Sequence, residues 1–205
     1  MTQPTKPSLG LHREDIYQAH CHGCETWIFA YASLIWRPDF CPEVQLPATV
    51  FGFHRGLQMW SRINRGTPEQ PGLVFALLPG GSCQGIAMKV SRSDVEEVLA
   101  MLWDREMPTN TYTPRWLTAH TPEGPKRALA FTLPRHHPQC TGRLSPAEYA
   151  HIFRHSQGRY GSTLDYALQT LHGLHAVGIH DAQLLRLLKP YLDDGTPAMR
   201  GVAAN

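Results

Sequence analysis

Residues 27–40 read WIFAYASLIWRPDF. The run Trp27-Ile28-Phe29-Ala30 is short, apolar and rich in strand-forming side chains, as a buried strand requires. Tyr31-Ala32-Ser33 then interrupts it with small or hydroxyl-bearing residues. Leu34-Ile35-Trp36 resumes the apolar character before Pro38 ends it. A core strand that gives way to a short polar step leaves backbone groups there free to hold something other than a neighbouring strand.

Working outward, the first two thirds of the chain carry further stretches of strand character, with turn residues between them. They fall at 27–31, 48–54, 73–78, 84–90, 113–120 and 127–133. The last third is helical. Ser145 opens a capping box with Glu148, and Pro146 stands at the first helical position. Ser162 and Asp165 start the next helix, whose Leu164, Ala167, Leu168, Leu171 and Leu174 share a face, with Gly178 as its C-cap. Asp181 caps a last helix bearing Leu184, Leu185, Leu188 and Leu192. One more helix lies among the strands. Ser93 and Glu96 form its expected capping box, and Pro108 marks its far end. Strands early and helices late predict an α+β domain: a mixed sheet or small barrel flanked by helices.

Bulk properties bound the function. The 205 residues suffice for one full core, here expected over 27–192, with an N-terminal extension at 1–26 and a tail at 193–205. A formal charge of +2 is too small and dispersed for a nucleic-acid binder. No apolar run reaches membrane-span length, and the first ten residues lack a signal-peptide core, so a cytoplasmic protein is expected. Cys21 and Cys24 form a C-x-x-C beside His20 and His22, but no second ligand pair follows, so no metal site is expected. The sequence leaves the oligomeric state open.

The helix SDVEEVLAMLWDREM carries a carboxylate in an unusual place. Val95, Val98, Leu99, Leu102 and Trp103 follow the spacing of a core-facing stripe. Glu106 falls eleven residues after Val95 and seven after Leu99, on that same face, whereas Glu96, Glu97, Asp104 and Arg105 turn to solvent or the flank. Two readings follow. The helix end frays and the carboxylate reaches water or an arginine; or burial and the helix dipole raise its pKa and make it a proton shuttle. Periodicity alone does not decide between them.

Several segments in the same order, YASLIW, FGFHRGLQMWSRINRGTPEQPGLVFALL, CQGIAMKV, WDRE and GRYGSTLDYALQTLHGLHAVGIHDAQL, resemble the ChaC-type γ-glutamylcyclotransferases from about residue 27 to 192. The resemblance implies a barrel-like α+β fold that cleaves a γ-glutamyl amide, glutathione in ChaC proteins, to 5-oxoproline and cysteinylglycine without metal or organic cofactor. It places the family's γ-glutamyl cradle on Tyr31, Ala32, Ser33 and Leu34, with Ile35 and Trp36 completing the motif. It places the catalytic glutamate on Glu106 and further substrate-binding tyrosines at Tyr112 and Tyr166. Ser33 as an acyl nucleophile is the rival, and it lacks a G-x-S-x-G elbow. This chain departs from the family by Ala32 in place of glycine and by the link MPTNT before Tyr112. Arg55, Arg62 and Arg65 cluster near one loop, where structural pairing competes with contact to a substrate carboxylate.

Overall fold

The computed structural model describes residue 14, residues 25–107 and residues 111–192. Apart from residue 14, the N-terminal extension through the Cys21/Cys24 pair and its histidines, together with Pro108 and the tail from 193, lies outside the described residues.

Five strands close a barrel in the order β1-β3-β2-β4-β5: β1 Trp27–Ala30, β2 Val44–Ser61, β3 Gly72–Lys89, β4 Thr113–Thr121 and β5 Gly124–Thr132. β1 runs antiparallel to β3 and parallel to β5, so it is paired on both edges. That explains its unbroken apolar run: all four residues are buried. The expected mixed barrel is therefore the fold.

Two expected strands, 73–78 and 84–90, form one 18-residue strand, β3. Pro79-Gly80-Gly81 reads as a turn in sequence, yet it bends the strand without ending it. Gly80 and Gly81 supply the positive φ (100° and 75°) that the bend needs. β2 likewise extends beyond 48–54 at both ends, carried past Gly52 (φ 81°) by a register shift between Phe51 and Phe53. Gly85 on β3 lies hard against β1. A methyl there would sit 2.3 Å from the Ala30 carbonyl oxygen and inside the Phe29 ring's contact distance.

The flanking helices are α1 Ser33–Trp36, α2 Val95–Glu106, α3 Pro146–His155, α4 Thr163–Ala176 and α5 Ala182–Leu188. Between α3 and α4 a small hairpin pairs β6 Gln157–Gly158 with β7 Gly161–Ser162. The capping box at Ser145/Glu148 forms as expected, the helix start at Ser162/Asp165 is also a capping box, and Asp181 caps α5. The box at Ser93 does not form. The Ser93 hydroxyl donates to Asp94 Oδ1 (2.6 Å), and α2 starts one residue later behind Asp94 without a side-chain cap. The buried face of α4 is centred on Tyr166, Ala167, Thr170, Leu171 and Leu174, with Leu164 and Leu168 at its margins. α5 stops at Leu188, so Leu192 lies beyond it and is exposed. No helix among the described residues is long and apolar enough to cross a membrane.

Candidate active site

Glu106 is the last residue of α2, below the buried stripe Val95, Val98, Leu99 and Leu102. Its side chain is 16% exposed. Burial raises its pKa above the ordinary 4.5, the Arg105 guanidinium opposes that rise, and Asp39 adds to it. The C-terminal end of the helix dipole works in the same direction as burial. Fraying at the helix end does not carry the carboxylate into water.

Three buried tyrosines lie within reach of the charge of this carboxyl. The Tyr31 hydroxyl donates to the Phe131 carbonyl (3.0 Å) and the Tyr112 hydroxyl to the Phe75 carbonyl (3.0 Å). Burial drives the phenols of Tyr31 and Tyr112 well above 10 and pushes Tyr166 up to about 12; the charge of Glu106 adds to the rise in all three. All three therefore stay protonated at neutral pH and can donate hydrogen bonds. Chain positions 31, 106, 112 and 166 meet because β1, α2, β4 and α4 each end or begin at one mouth of the barrel.

Arg105 ties this cluster to the segment after β1. Its Nη2 donates to Ser33 Oγ (3.0 Å), and its Nη1 donates to the Arg37 carbonyl (2.8 Å) and Asp39 Oδ2 (2.5 Å). Its Nε lies 3.1 Å from Glu106 Oε1. Of the two positions expected for Arg105, solvent or the helix flank, it takes the flank, where two carboxylates and a carbonyl hold it. Asp39 holds φ 59°, a left-handed conformation that aspartate tolerates, and also accepts from Arg37 Nε (3.1 Å). Neither Arg105 nor Asp39 was legible as a site residue, since their partners come from residues 33–39, far away in sequence. The arginine immediately before Glu106 was the only available hint.

The cradle segment itself is a single helical turn. Ile35 N–H donates to the Ala32 carbonyl (2.9 Å) and Arg37 N–H to the Ser33 carbonyl (2.7 Å). The first-turn amides of Ser33 and Leu34 have no intrahelical acceptor. Tyr31, Ala32 and Leu34 are buried, and Ser33, Ile35 and Trp36 are partly exposed. Trp36 points back to α4, where its Nε1 donates to Thr170 Oγ1 (3.2 Å) and its ring meets Tyr166 edge-on. From beneath, Arg55 Nη1 donates to the carbonyls of Tyr31 (2.8 Å) and Gln84 (3.0 Å), while Nε and Nη2 grip Asp181 Oδ2 (3.0 and 2.7 Å). Arg55 is therefore structural, and Arg62 faces outward onto Gln139 (2.6 Å).

At Ala32 φ is −145° and ψ −118°, so the positive φ that would call for glycine is absent. Ala32→Gly should change kcat/KM by less than about twofold, since no positive φ at this position demands glycine. A large gain in turnover on restoring glycine would show that the methyl obstructs the cradle.

A cavity of about 740 Å³ lies on the far side of Phe75, lined by His54, Arg55, Arg135, Tyr149 and Asp181 among others. Neither Glu106 nor any of the three tyrosines lines it; Phe75, whose ring packs on Tyr166, and Arg55, which holds the Tyr31 carbonyl, connect it to the cluster. The chemistry-bearing groups therefore lie outside it.

Comparison with known proteins places this arrangement in a class. The barrel superposes on the crystal structure of the yeast glutathione-specific γ-glutamyl cyclotransferase with a TM-score of 0.71, covering 80% of this chain and 94% of that one at 21% identity. The fold is that of the γ-glutamylcyclotransferases. The family described as ChaC-like protein matches residues 26–191, and the chain belongs to it. It is 31% identical over 163 residues to the glutathione-specific γ-glutamylcyclotransferase of Escherichia coli K12, covering 79% of this chain and 71% of that protein. It is 32% identical over 151 residues to the human glutathione-specific γ-glutamylcyclotransferase 1, covering 70% and 67% respectively.

Proposed function

We propose that this protein is a γ-glutamylcyclotransferase that cleaves glutathione to 5-oxoproline and cysteinylglycine, with Glu106 as acid and base. The observation that carries this reading is a withdrawn carboxyl, Glu106, joined through Arg105 to Ser33 of the Tyr31–Leu34 turn and within charge reach of three protonated phenols. The names of the relatives supply the substrate.

The chemistry needs no protein nucleophile. The substrate's α-amine attacks its own γ-carbonyl carbon; the new C–N bond closes the five-membered ring, and the C–N bond to cysteine breaks. Glu106 takes the proton released by the amine and delivers it to the departing cysteine nitrogen. The turn at Tyr31–Leu34 holds the γ-glutamyl chain folded, an orientation effect. Its free amides and the Ser33, Tyr112 and Tyr166 hydroxyls supply donors for the α-carboxylate or the developing oxyanion. Ile35 and Trp36 complete the wall. The catalytic unit is residues 27–192. A cytoplasmic setting is part of the proposal: Cys41, Cys83 and Cys140 are free thiols, as a glutathione-reduced compartment favours.

Purified protein incubated with glutathione should release 5-oxoproline and cysteinylglycine in equal amounts. Binding without turnover would replace this reading by a γ-glutamyl-binding module. A higher kcat/KM for another γ-glutamyl amine in a substrate panel would reassign the substrate while keeping the reaction.

A further inference from the structure

The connection between β2 and β3 folds back over the β6–β7 hairpin, and it does so around Arg65. Arg159 and Tyr160 N–H groups donate to the carbonyls of Ile63 (2.8 Å) and Asn64 (2.9 Å). Arg65 N–H donates to Ser61 Oγ (3.1 Å) and its carbonyl accepts from Thr163 Oγ1 (3.4 Å). Gly158 packs so closely that a methyl there would lie 2.5 Å from the Arg65 nitrogen. Four distant residues, together with nearby Ser61, thus fix the backbone at and just before one arginine.

The side chain they position is buried, with 8% of the residue exposed. Its guanidinium lies 4.8 Å from the centre of the Tyr166 ring, and Nη1 donates to the Tyr160 carbonyl. Other arginines at this mouth have carboxylates: Arg37 has Asp39, Arg55 has Asp181, and Arg105 has Asp39 and Glu106. Among the described residues Arg65 forms no ion pair. Asp165, whose charge reaches it, accepts instead from Ser162 N–H in the capping box of α4. Arg37 adds a second positive charge nearby. A guanidinium withdrawn from water without a counter-ion is costly to hold. No sealed polar side-chain atom among the described residues lacks a partner, so the unspent N–H groups of Arg65 border open space.

We infer that Arg65 is a specificity-determining residue that takes the C-terminal carboxylate of the peptide substrate. This rests on the cyclotransferase reading. Tyr166 joins the two places: its hydroxyl side lies near Ser33 and Glu106, and its ring face carries Arg65. The two residues beyond the scissile amide of glutathione span about 7 Å when extended. That length crosses a tyrosine from a reacting centre at its hydroxyl to a cation stacked on its ring. Guanidinium suits the task because its planar fork meets both carboxylate oxygens.

The test compares glutathione with its glycine monoethyl ester, which keeps every atom of the γ-glutamyl group and removes only the terminal charge. Wild-type protein should prefer glutathione by about 10–100-fold in kcat/KM, mainly through KM. Arg65→Met should erase that preference, lowering kcat/KM for glutathione by the same factor and leaving the ester within about twofold; Arg65→Lys should recover part of it. Equal losses on both substrates would overturn the inference, since they would mean a packing role or contact with the γ-glutamyl α-carboxylate. Wild-type protein that does not discriminate would overturn it without any variant. Wild-type protein inert toward both compounds would instead remove the cyclotransferase reading, and this inference with it. Calorimetry of the Glu106→Gln protein with glutathione and with its glycine ester reads the same preference in binding, and comparable affinities would again overturn it.

Discussion

Glu106→Gln should cut 5-oxoproline formation by about 10²–10⁴-fold, the range a positioned acid–base group contributes. The amide keeps the size and packing of the side chain but can neither accept nor return a proton. The stability of the same variant separates chemistry from folding. Glu106 has a folded pKa above its unfolded value near 4.5, so between the two values the folded state binds the proton more tightly. Stability therefore falls as pH rises through that window, and the penalty is fully present above the folded pKa. Glutamine carries no such penalty, and Arg105 keeps Asp39 and Ser33 as partners. At pH 7 the variant should melt no lower than wild type. For the wild type, the acid limb of kcat/KM should lie above pH 4.5, because only the ionised carboxylate accepts the amine proton. A Glu106→Gln protein retaining a tenth or more of wild-type turnover would remove Glu106 from the mechanism.

Asp181→Ala should destabilise the protein by about 3–5 kcal/mol, the cost of stranding one partner of a buried ion pair. Arg55 is the stranded group, with its side chain only 5% exposed. For a domain of this size that lowers Tm by roughly 6–20 °C. Asp181 also accepts from the Gln183 and Leu184 amides, so alanine removes the cap of α5 as well. Asp181→Asn keeps a capping oxygen and should fall between alanine and wild type. Turnover should drop further than stability alone explains, since Arg55 also holds the Tyr31 carbonyl at the entrance to the cradle. A melting shift under 2 °C for the alanine variant would show the pair to be dispensable.

Much of this molecule was readable before any coordinates. β1 announced itself by four consecutive apolar residues, and it is indeed paired on both edges. Of the two expected capping boxes, Ser145 forms its box because it directly precedes a helical run, whereas at Ser93 the neighbouring Asp94 takes the hydroxyl; the helix start at Ser162 also proves to be a box. The bend at Pro79-Gly80-Gly81 misled because turn chemistry and strand-bend chemistry use the same residues. Glu106 was visible through its place on an apolar stripe, although only the fold shows what encloses it. The convergence of Tyr31, Tyr112 and Tyr166 came from family resemblance, since no periodicity links those positions. Arg105 and Arg65 stayed hidden for a related reason: their partners lie on other elements, and a linear pattern does not record where a guanidinium is aimed.

The site is also spread across time. Its hydrogen bonds join Tyr31 to Phe131, Trp36 to Thr170 and Arg55 to Asp181, separations of 100, 134 and 126 residues. A ribosome that has released the cradle segment must still synthesise nearly the whole remaining chain before the last of these partners exists. Contacts of such range form late because loop closure must come first. A nascent or truncated chain would hold the glutamate and the first turn without Thr170 and Asp181. The last of these partners arrives at the start of α5, and chains that stall before it should stay silent.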